Sequence, residues 1–177
     1  MMSKTFCQLL KEELRDQIIY YVRLSRREDR EVSIDLIELP SGKIEIRNFT
    51  AGPHHEIVVY PPFVGEGERH LARIHTHIPP ESVSEVGLSF SDLPTDRTIE
   101  CVINVWSGMM ECVRLRREVQ LPQKELRYLL EQMEQELVAL LSQMLPDPAK
   151  LQACAEKSSL LLKKYYETLC TDNLFTI

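Results

Sequence analysis

The chain has 177 residues, a mass of 20.6 kDa and a net charge of −6 at pH 7. Its 44% hydrophobic and 27% charged residues are typical of a folded globular protein, and its acidity argues against a dedicated nucleic-acid-binding protein. No apolar run approaches the ~20 residues that a membrane span requires, and the N-terminus does not resemble a signal peptide, so we expect one main cytoplasmic domain that binds neither nucleic acid nor membrane.

The first part of the chain predicts a helix and then a strand hairpin. Residues 3–27 carry apolar side chains at three- and four-residue spacing, as an amphipathic helix does, and Ser3 can cap this helix. Residues 31–39 predict a strand, and residues 44–50 predict its hairpin partner after a Pro-Ser-Gly-Lys turn. The β-branched segment 56–60 predicts a further strand.

The middle of the chain predicts strands separated by one long loop. Residues 71–76 form an apolar strand, and residues 78–91 form a loop rich in Pro, Ser and Glu that leads to a short turn at Asp92. Two more strands are expected at 99–105 and 110–115. The whole pattern predicts an α/β chain of the α+β type, with a mixed β-sheet flanked by helices.

The last part of the chain predicts an α-helical hairpin. Residues 122–145 and 149–170 read as two helices separated by a Pro-Asp-Pro break, which divides the chain into domains at 1–120 and 121–177. The hairpin's apolar stripe must be buried. It either packs within the chain or forms a homodimer or partner interface through residues 122–170. The stripe consists of Leu126, Leu129, Leu130, Met133, Leu137, Leu140, Leu141 and Met144.

The cysteines predict thiols rather than a disulfide framework or a zinc ribbon. Their number, five, is odd, their spacings are wide, and no Cys-x-x-Cys pair occurs. Cys101 and Cys112 can face each other across a hairpin, but nothing in the sequence requires a bond between them.

The positions of the histidines indicate a metal site. All five lie between residues 54 and 77, and His75 and His77 end an apolar strand at the i, i+2 spacing that places both side chains on one face. Asp92 follows across the loop, so two imidazoles and one carboxylate could hold zinc and leave a fourth position for water. The other three histidines are expected in surface loops.

These residues resemble a known family. His75-Thr76-His77, the Pro-rich loop and Ser89-x-x-Asp92 resemble the zinc signature of the JAMM (MPN+) metallopeptidases, H-x-H-P-x(n)-S-x-x-D. The family also carries a glutamate on the strand after the first helix, where this chain has Glu31 in a segment similar to E-x-x-G-x-L. The resemblance covers roughly residues 5–117 and implies an MPN-type fold with a cytidine-deaminase-like core.

The resemblance implies a role for each residue. His75, His77 and Asp92 would hold Zn²⁺, Glu31 would be the general base, and Ser89 would donate a hydrogen bond to the oxyanion of the intermediate. The reaction would be hydrolysis of an amide or isopeptide bond in a peptide or ubiquitin-like protein.

The chain departs from the family pattern at three points. Ile78 separates the second histidine from the first proline, the loop before Ser89 is long, and the glycines near the glutamate are missing. Glu28 and Glu38 are therefore alternative bases, and Ser91 is the rival of Ser89.

Three functions follow from the sequence. The first is an active zinc metallopeptidase or isopeptidase that cuts next to a ubiquitin-like C-terminus. The second is a catalytically inactive MPN-type scaffold or interaction protein, and the third is a small-molecule amide hydrolase of the same fold.

Overall fold

The computed structural model describes residues 4–52, 63–79 and 88–176. The helices and strands of these residues are, in chain order, α1 (Phe6–Glu12), α2 (Arg15–Glu28), β1 (Val32–Glu38), β2 (Ile44–Ala51), β3 (Arg69–His77), β4 (Ile99–Asn104), β5 (Met109–Leu115), α3 (Gln123–Leu141), α4 (Pro148–Tyr165) and β6 (Tyr166–Asn173). Short 3-10 turns occupy Phe90–Asp92 and Leu174–Thr176.

The strands form one mixed sheet in the order β2-β1-β3-β4-β5-β6. β1 runs antiparallel to both β2 and β3, β3 and β4 run parallel, and β4 and β5 are antiparallel. The predicted α+β class with a mixed sheet and helices is confirmed. The predicted strands at 31–39, 44–50, 71–76, 99–105 and 110–115 are each found within two residues of their expected bounds. The predicted strand at 56–60 lies outside the described residues.

The helices α1 and α2 pack on one face of the sheet. Side chains of this face alternate along the central strands with those of the opposite face, which is the geometry that a strand imposes. The core contains Leu10, Ile18 and Val22 from the helices and Ile34, Leu36, Ile74, Cys101 and Ile103 from the strands. β4 is buried along its whole length, so it is covered on both faces.

The predicted single helix over 3–27 is wrong in one respect, since the helix is interrupted at Glu13 and Leu14. Both of these residues donate their backbone N–H to the carbonyl of Leu9, and the second bond is a wide i→i−5 bond that ends the regular pattern of α1 before α2 begins. Thr5 caps α1 through a reciprocal pair of hydrogen bonds with Gln8. The predicted cap, Ser3, lies outside the described residues.

The predicted helix over 149–170 is too long. α4 ends at Tyr165, and residues 166–173 form β6 at the edge of the sheet. The carbonyl of Tyr165 accepts a hydrogen bond from the Arg116 backbone N–H, so strand pairing takes over where the helix stops. Pairing with a distant segment outweighs local helix propensity here, and the leucine spacing could not reveal that.

The residues group into two compact units. Unit 1 comprises Met1–Gly87, Thr98–Val113 and Thr168–Ile177, and unit 2 comprises Leu88–Arg97 and Arg114–Glu167. The predicted domain division at residue 120 stays a prediction.

The apolar stripe of the helical hairpin is only partly buried. Leu126, Leu130 and Met133 of α3 and Cys154 of α4 are buried, whereas the far end of the hairpin exposes large apolar side chains. These exposed residues are Val138, Leu141, Met144 and Leu145, and Leu160 is exposed near the other end of α4. Among the helices that the structure describes, none is long and apolar enough to cross a membrane.

Four cysteines are paired, contrary to the prediction of thiols. Cys7 of α1 is bonded to Cys170 of β6, and Cys101 is bonded to Cys112, its register partner on the neighbouring strand. Cys154 is free and buried. The first pair is separated by 163 residues, so only the tertiary fold brings the two together.

Candidate metal centre

Two imidazoles converge at the end of β3. His75 and His77 occupy i and i+2 of the strand, His75 is buried, and their Nε2 atoms lie 3.1 Å apart. Two nitrogens bound to one tetrahedral zinc at ordinary bond lengths would lie roughly 3.3 Å apart. The spacing of the two nitrogens therefore fits a shared divalent ion.

A buried carboxylate fixes the orientation of His75. Its Nδ1 lies 2.8 Å from Oε1 of Glu100, which is on the adjacent parallel strand β4 and is 7% exposed. When Nδ1 donates to this carboxylate, the Nε2 lone pair of His75 is left to face His77. Sequence analysis did not single out Glu100, although one acidic residue inside the apolar strand Ile-Glu-Cys-Val-Ile was a usable signal.

Glu31 directly precedes β1 and lies two positions before Ser33, the register partner of His75. Ser33 of β1 pairs with His75, so the same antiparallel register, continued by two positions, sets Glu31 opposite His77. The carbonyl of Glu31 accepts a hydrogen bond from the Gly52 N–H, which extends the pairing of β1 with β2 to this residue. Directly opposed residues project to the same face, so a register that continues to Glu31 would place its side chain on the face of the two histidines.

The alternative bases lie elsewhere. Glu38 ends β1 at the opposite end, where it forms a 3.2 Å ion pair with Arg69. Seven residues of extended strand separate it from Glu31 by roughly 23 Å. Glu28 is the last residue of α2 and is not part of the sheet. The geometry therefore favours Glu31.

Ser89 and Asp92 form their own compact turn within unit 2. Asp92 Oδ2 accepts hydrogen bonds from the Ser89 hydroxyl, at 2.7 Å, and from its backbone N–H, at 3.2 Å. Ser89 therefore begins the 3-10 turn that Asp92 ends. The hydroxyl oxygen of Ser91, the alternative to Ser89, lies within hydrogen-bond distance of the Ser89 hydroxyl oxygen, at 2.9 Å. The Ser-x-x-Asp spacing corresponds to this turn.

The turn that carries Asp92 is held by helix α3 and by the start of β6, also within unit 2. Arg127 donates to the carbonyl of Leu93 at 2.9 Å, and the Tyr166 hydroxyl donates to the carbonyl of Pro94 at 2.7 Å. Burial raises the pKa of Tyr166 to about 12, so this hydroxyl keeps its proton at neutral pH. Two hydrogen bonds thus fix the backbone immediately after Asp92.

The three predicted ligands, His75, His77 and Asp92, are candidate metal-binding groups among the residues that the structure describes. The histidines belong to unit 1 and the aspartate to unit 2. Imidazole nitrogen and carboxylate oxygen are both donors that zinc accepts, so the donor set fits a divalent metal ion. No observation identifies that ion as zinc.

His70 is not the surface residue that the sequence predicted. It lies on β3, and its Nε2 donates to the fully buried carboxylate of Asp35 at 2.7 Å. Asn48 and Arg73 donate to the same carboxylate, at 2.6 and 3.2 Å. His70 therefore belongs to a structural network rather than to the imidazole pair. The other two histidines, His54 and His55, lie outside the described residues.

Trp106 packs close to the end of β3. Its indole N–H donates to the Pro79 carbonyl at 2.7 Å, and the guanidinium of Arg26 lies 4.9 Å from the ring centroid. These contacts tie the segment that follows His77 to the β4–β5 turn.

Comparison of the chain with protein-family models, curated proteins and solved structures gave no match.

Proposed function

We propose that the chain is a metal-dependent amide hydrolase of the JAMM type, a zinc metallopeptidase or isopeptidase that cuts next to a ubiquitin-like C-terminus. The observation that carries the proposal is the pair of imidazole Nε2 atoms 3.1 Å apart, with Glu100 orienting one of them. The resemblance of the Ser89-x-x-Asp92 segment to the family signature supplies the third ligand and the reaction type. The MPN-type fold and its cytidine-deaminase-like core are part of this proposal.

The residues that would hold the ion are His75, His77 and Asp92. Zinc, when bound by such an open donor set, supplies Lewis acidity to a water molecule and to the scissile carbonyl. Glu100 would keep the His75 ring in the tautomer that leaves Nε2 free for the ion.

Two further side chains would handle protons and developing charge. The carboxylate of Glu31 would accept the proton of the attacking water and transfer it to the leaving amine. The Ser89 hydroxyl would donate to the oxyanion of the tetrahedral intermediate. Because that hydroxyl donates to Asp92 in the structure, it would have to turn away from Asp92 to do so.

Two further proposals concern the partners of the protein and its cellular location. We propose that residues 122–170 contact a partner or a second copy, which is supported by the exposed apolar side chains at the far end of the hairpin. We also retain a cytoplasmic location as a proposal, although the two disulfides are more typical of an oxidising compartment.

The test uses ubiquitin whose C-terminal carboxyl is joined to a fluorophore by an amide bond. We expect the purified protein to release the fluorophore, to lose this activity on treatment with a chelator, and to regain it on addition of zinc. A small arylamide is assayed in parallel, because its cleavage in place of the ubiquitin amide would favour the small-molecule hydrolase. No hydrolysis of either compound by the zinc-treated protein would contradict the proposal.

A further inference from the structure

One buried hydroxyl beside the imidazole pair has no hydrogen-bond partner among the described residues. Ser33 is 1% exposed, and its Oγ forms no hydrogen bond with any residue in the ranges 4–52, 63–79 and 88–176. Buried side-chain hydroxyls in folded proteins are almost always paired, so an exception requires an explanation. An unmade hydrogen bond at a site built for a ligand is one such explanation.

The position of Ser33 connects it to the candidate centre. It is the direct register partner of His75 across the β1–β3 pairing, and directly opposed side chains on antiparallel strands share a face. His75 is held from the other side by Glu100 on β4. The hydroxyl therefore shares one face of the sheet with the imidazole pair and with the carboxylate of Glu100.

A second buried serine has hydrogen-bond partners within the protein, as buried hydroxyls usually do. Ser25 of α2 is also fully buried, and its hydroxyl bonds to the Arg30 carbonyl and, at 2.7 Å, to the Thr76 hydroxyl. Thr76 lies between the two histidines in sequence and projects to the opposite face of β3. Of these two buried serines, only Ser25 has a hydrogen-bond partner among the described residues.

We propose that Ser33 is a positioning residue of the metal centre, and that its hydroxyl gains its hydrogen-bond partner when the centre is loaded. The partner would be an oxygen atom that enters the site together with the ion. This inference rests on the proposed metal site, but it does not require that the site hydrolyse amides. Outer-shell partners of this kind typically contribute 10- to 100-fold to metal affinity.

The experiment compares Ser33→Ala with Ser25→Ala, using zinc ion as the probe. Thermal unfolding of the metal-free protein and the dissociation constant for zinc, from competition with a chelating dye, are measured for each variant. For Ser33→Ala we expect an unchanged or raised melting temperature without metal and about tenfold weaker zinc binding. For Ser25→Ala we expect a lowered melting temperature and unchanged zinc affinity. Ser33→Thr, which keeps the hydroxyl, should restore most of the affinity.

The outcomes separate this inference from the proposed function. If the wild type binds zinc and Ser33→Ala binds it equally well, the inference is wrong and the metal site stands. If Ser33→Ala destabilises the metal-free protein as Ser25→Ala does, the hydroxyl has a structural partner and the inference is also wrong. If zinc affinity depends on Ser33 but no amide is cleaved, the inference holds and the hydrolase proposal fails. A wild type that binds no zinc overturns both.

Discussion

Replacement of Glu31 by glutamine is expected to lower kcat for amide hydrolysis by about 10²- to 10⁴-fold, the usual contribution of a general base. Glutamine has nearly the same size and can hydrogen-bond, but it cannot accept the proton of the attacking water. Because Glu31 is not among the proposed ligands, the metal content of the variant should stay at the wild-type level. Steady-state kinetics on the fluorogenic ubiquitin amide, with metal analysis of the same samples, checks both statements.

Glu38→Gln is the matched control for this prediction. Glu38 lies on the same strand at its opposite end and pairs with Arg69, so its replacement should leave kcat within about twofold of the wild type. A large loss of activity in Glu38→Gln together with an active Glu31→Gln would show that the base had been assigned to the wrong end of β1.

Asp35→Ala is expected to produce the largest loss of stability, about 3–5 kcal/mol. Asp35 is fully buried and receives hydrogen bonds from His70, Asn48 and Arg73. Its removal takes a buried carboxylate away from the partly buried guanidinium of Arg73 and removes the acceptor of three hydrogen bonds. Chemical denaturation followed by far-UV circular dichroism measures the loss. The exposed pair of Lys157 with Glu136 supplies the control, since Glu136→Ala should barely move the denaturation midpoint.

The stability that the Asp35 carboxylate contributes should decrease at acidic pH. Burial alone would raise the pKa of Asp35, but hydrogen bonds from His70 and Asn48 and the charge of Arg73 outweigh burial and lower the pKa below its ordinary 3.8. The carboxylate therefore stabilises the fold above about pH 3.8, and this contribution is lost as the pH falls through the folded-state pKa. The Asp35→Ala variant has no carboxylate at this position, so its stability should lack this decrease at acidic pH. Parallel acid sensitivity in the variant and the wild type would contradict the assignment.

The parts of the fold that the sequence predicts are those encoded by local periodicity. The alternation that ends in His75 and His77 fixes a strand and puts two imidazoles on one face, and both features are present. The Ser89-x-x-Asp92 spacing predicts a turn, because a serine and an aspartate three residues apart can bond to each other. In each case the contacting residues are close in sequence, so composition and spacing are sufficient.

The parts that could not be predicted depend on contacts between distant residues. Glu100 lies far along the chain from His75, and only the parallel pairing of β3 with β4 brings the two together. The bond between Cys7 and Cys170 likewise requires β6 to return to the edge of the sheet, where the leucine spacing predicted a helix. These contacts depend on which strands pair, and the local sequence pattern does not indicate that pairing.

The metal centre is tested by the metal content of the purified protein, measured by mass spectrometry for the wild type, His77→Ala and His70→Ala. His70 is the control because it lies on the same strand but bonds to Asp35 rather than to the imidazole pair. We expect about one zinc ion per chain in the wild type and in His70→Ala, and none in His77→Ala. No metal in any of the three proteins after zinc addition, or equal metal in all three, would contradict a centre built on His75 and His77.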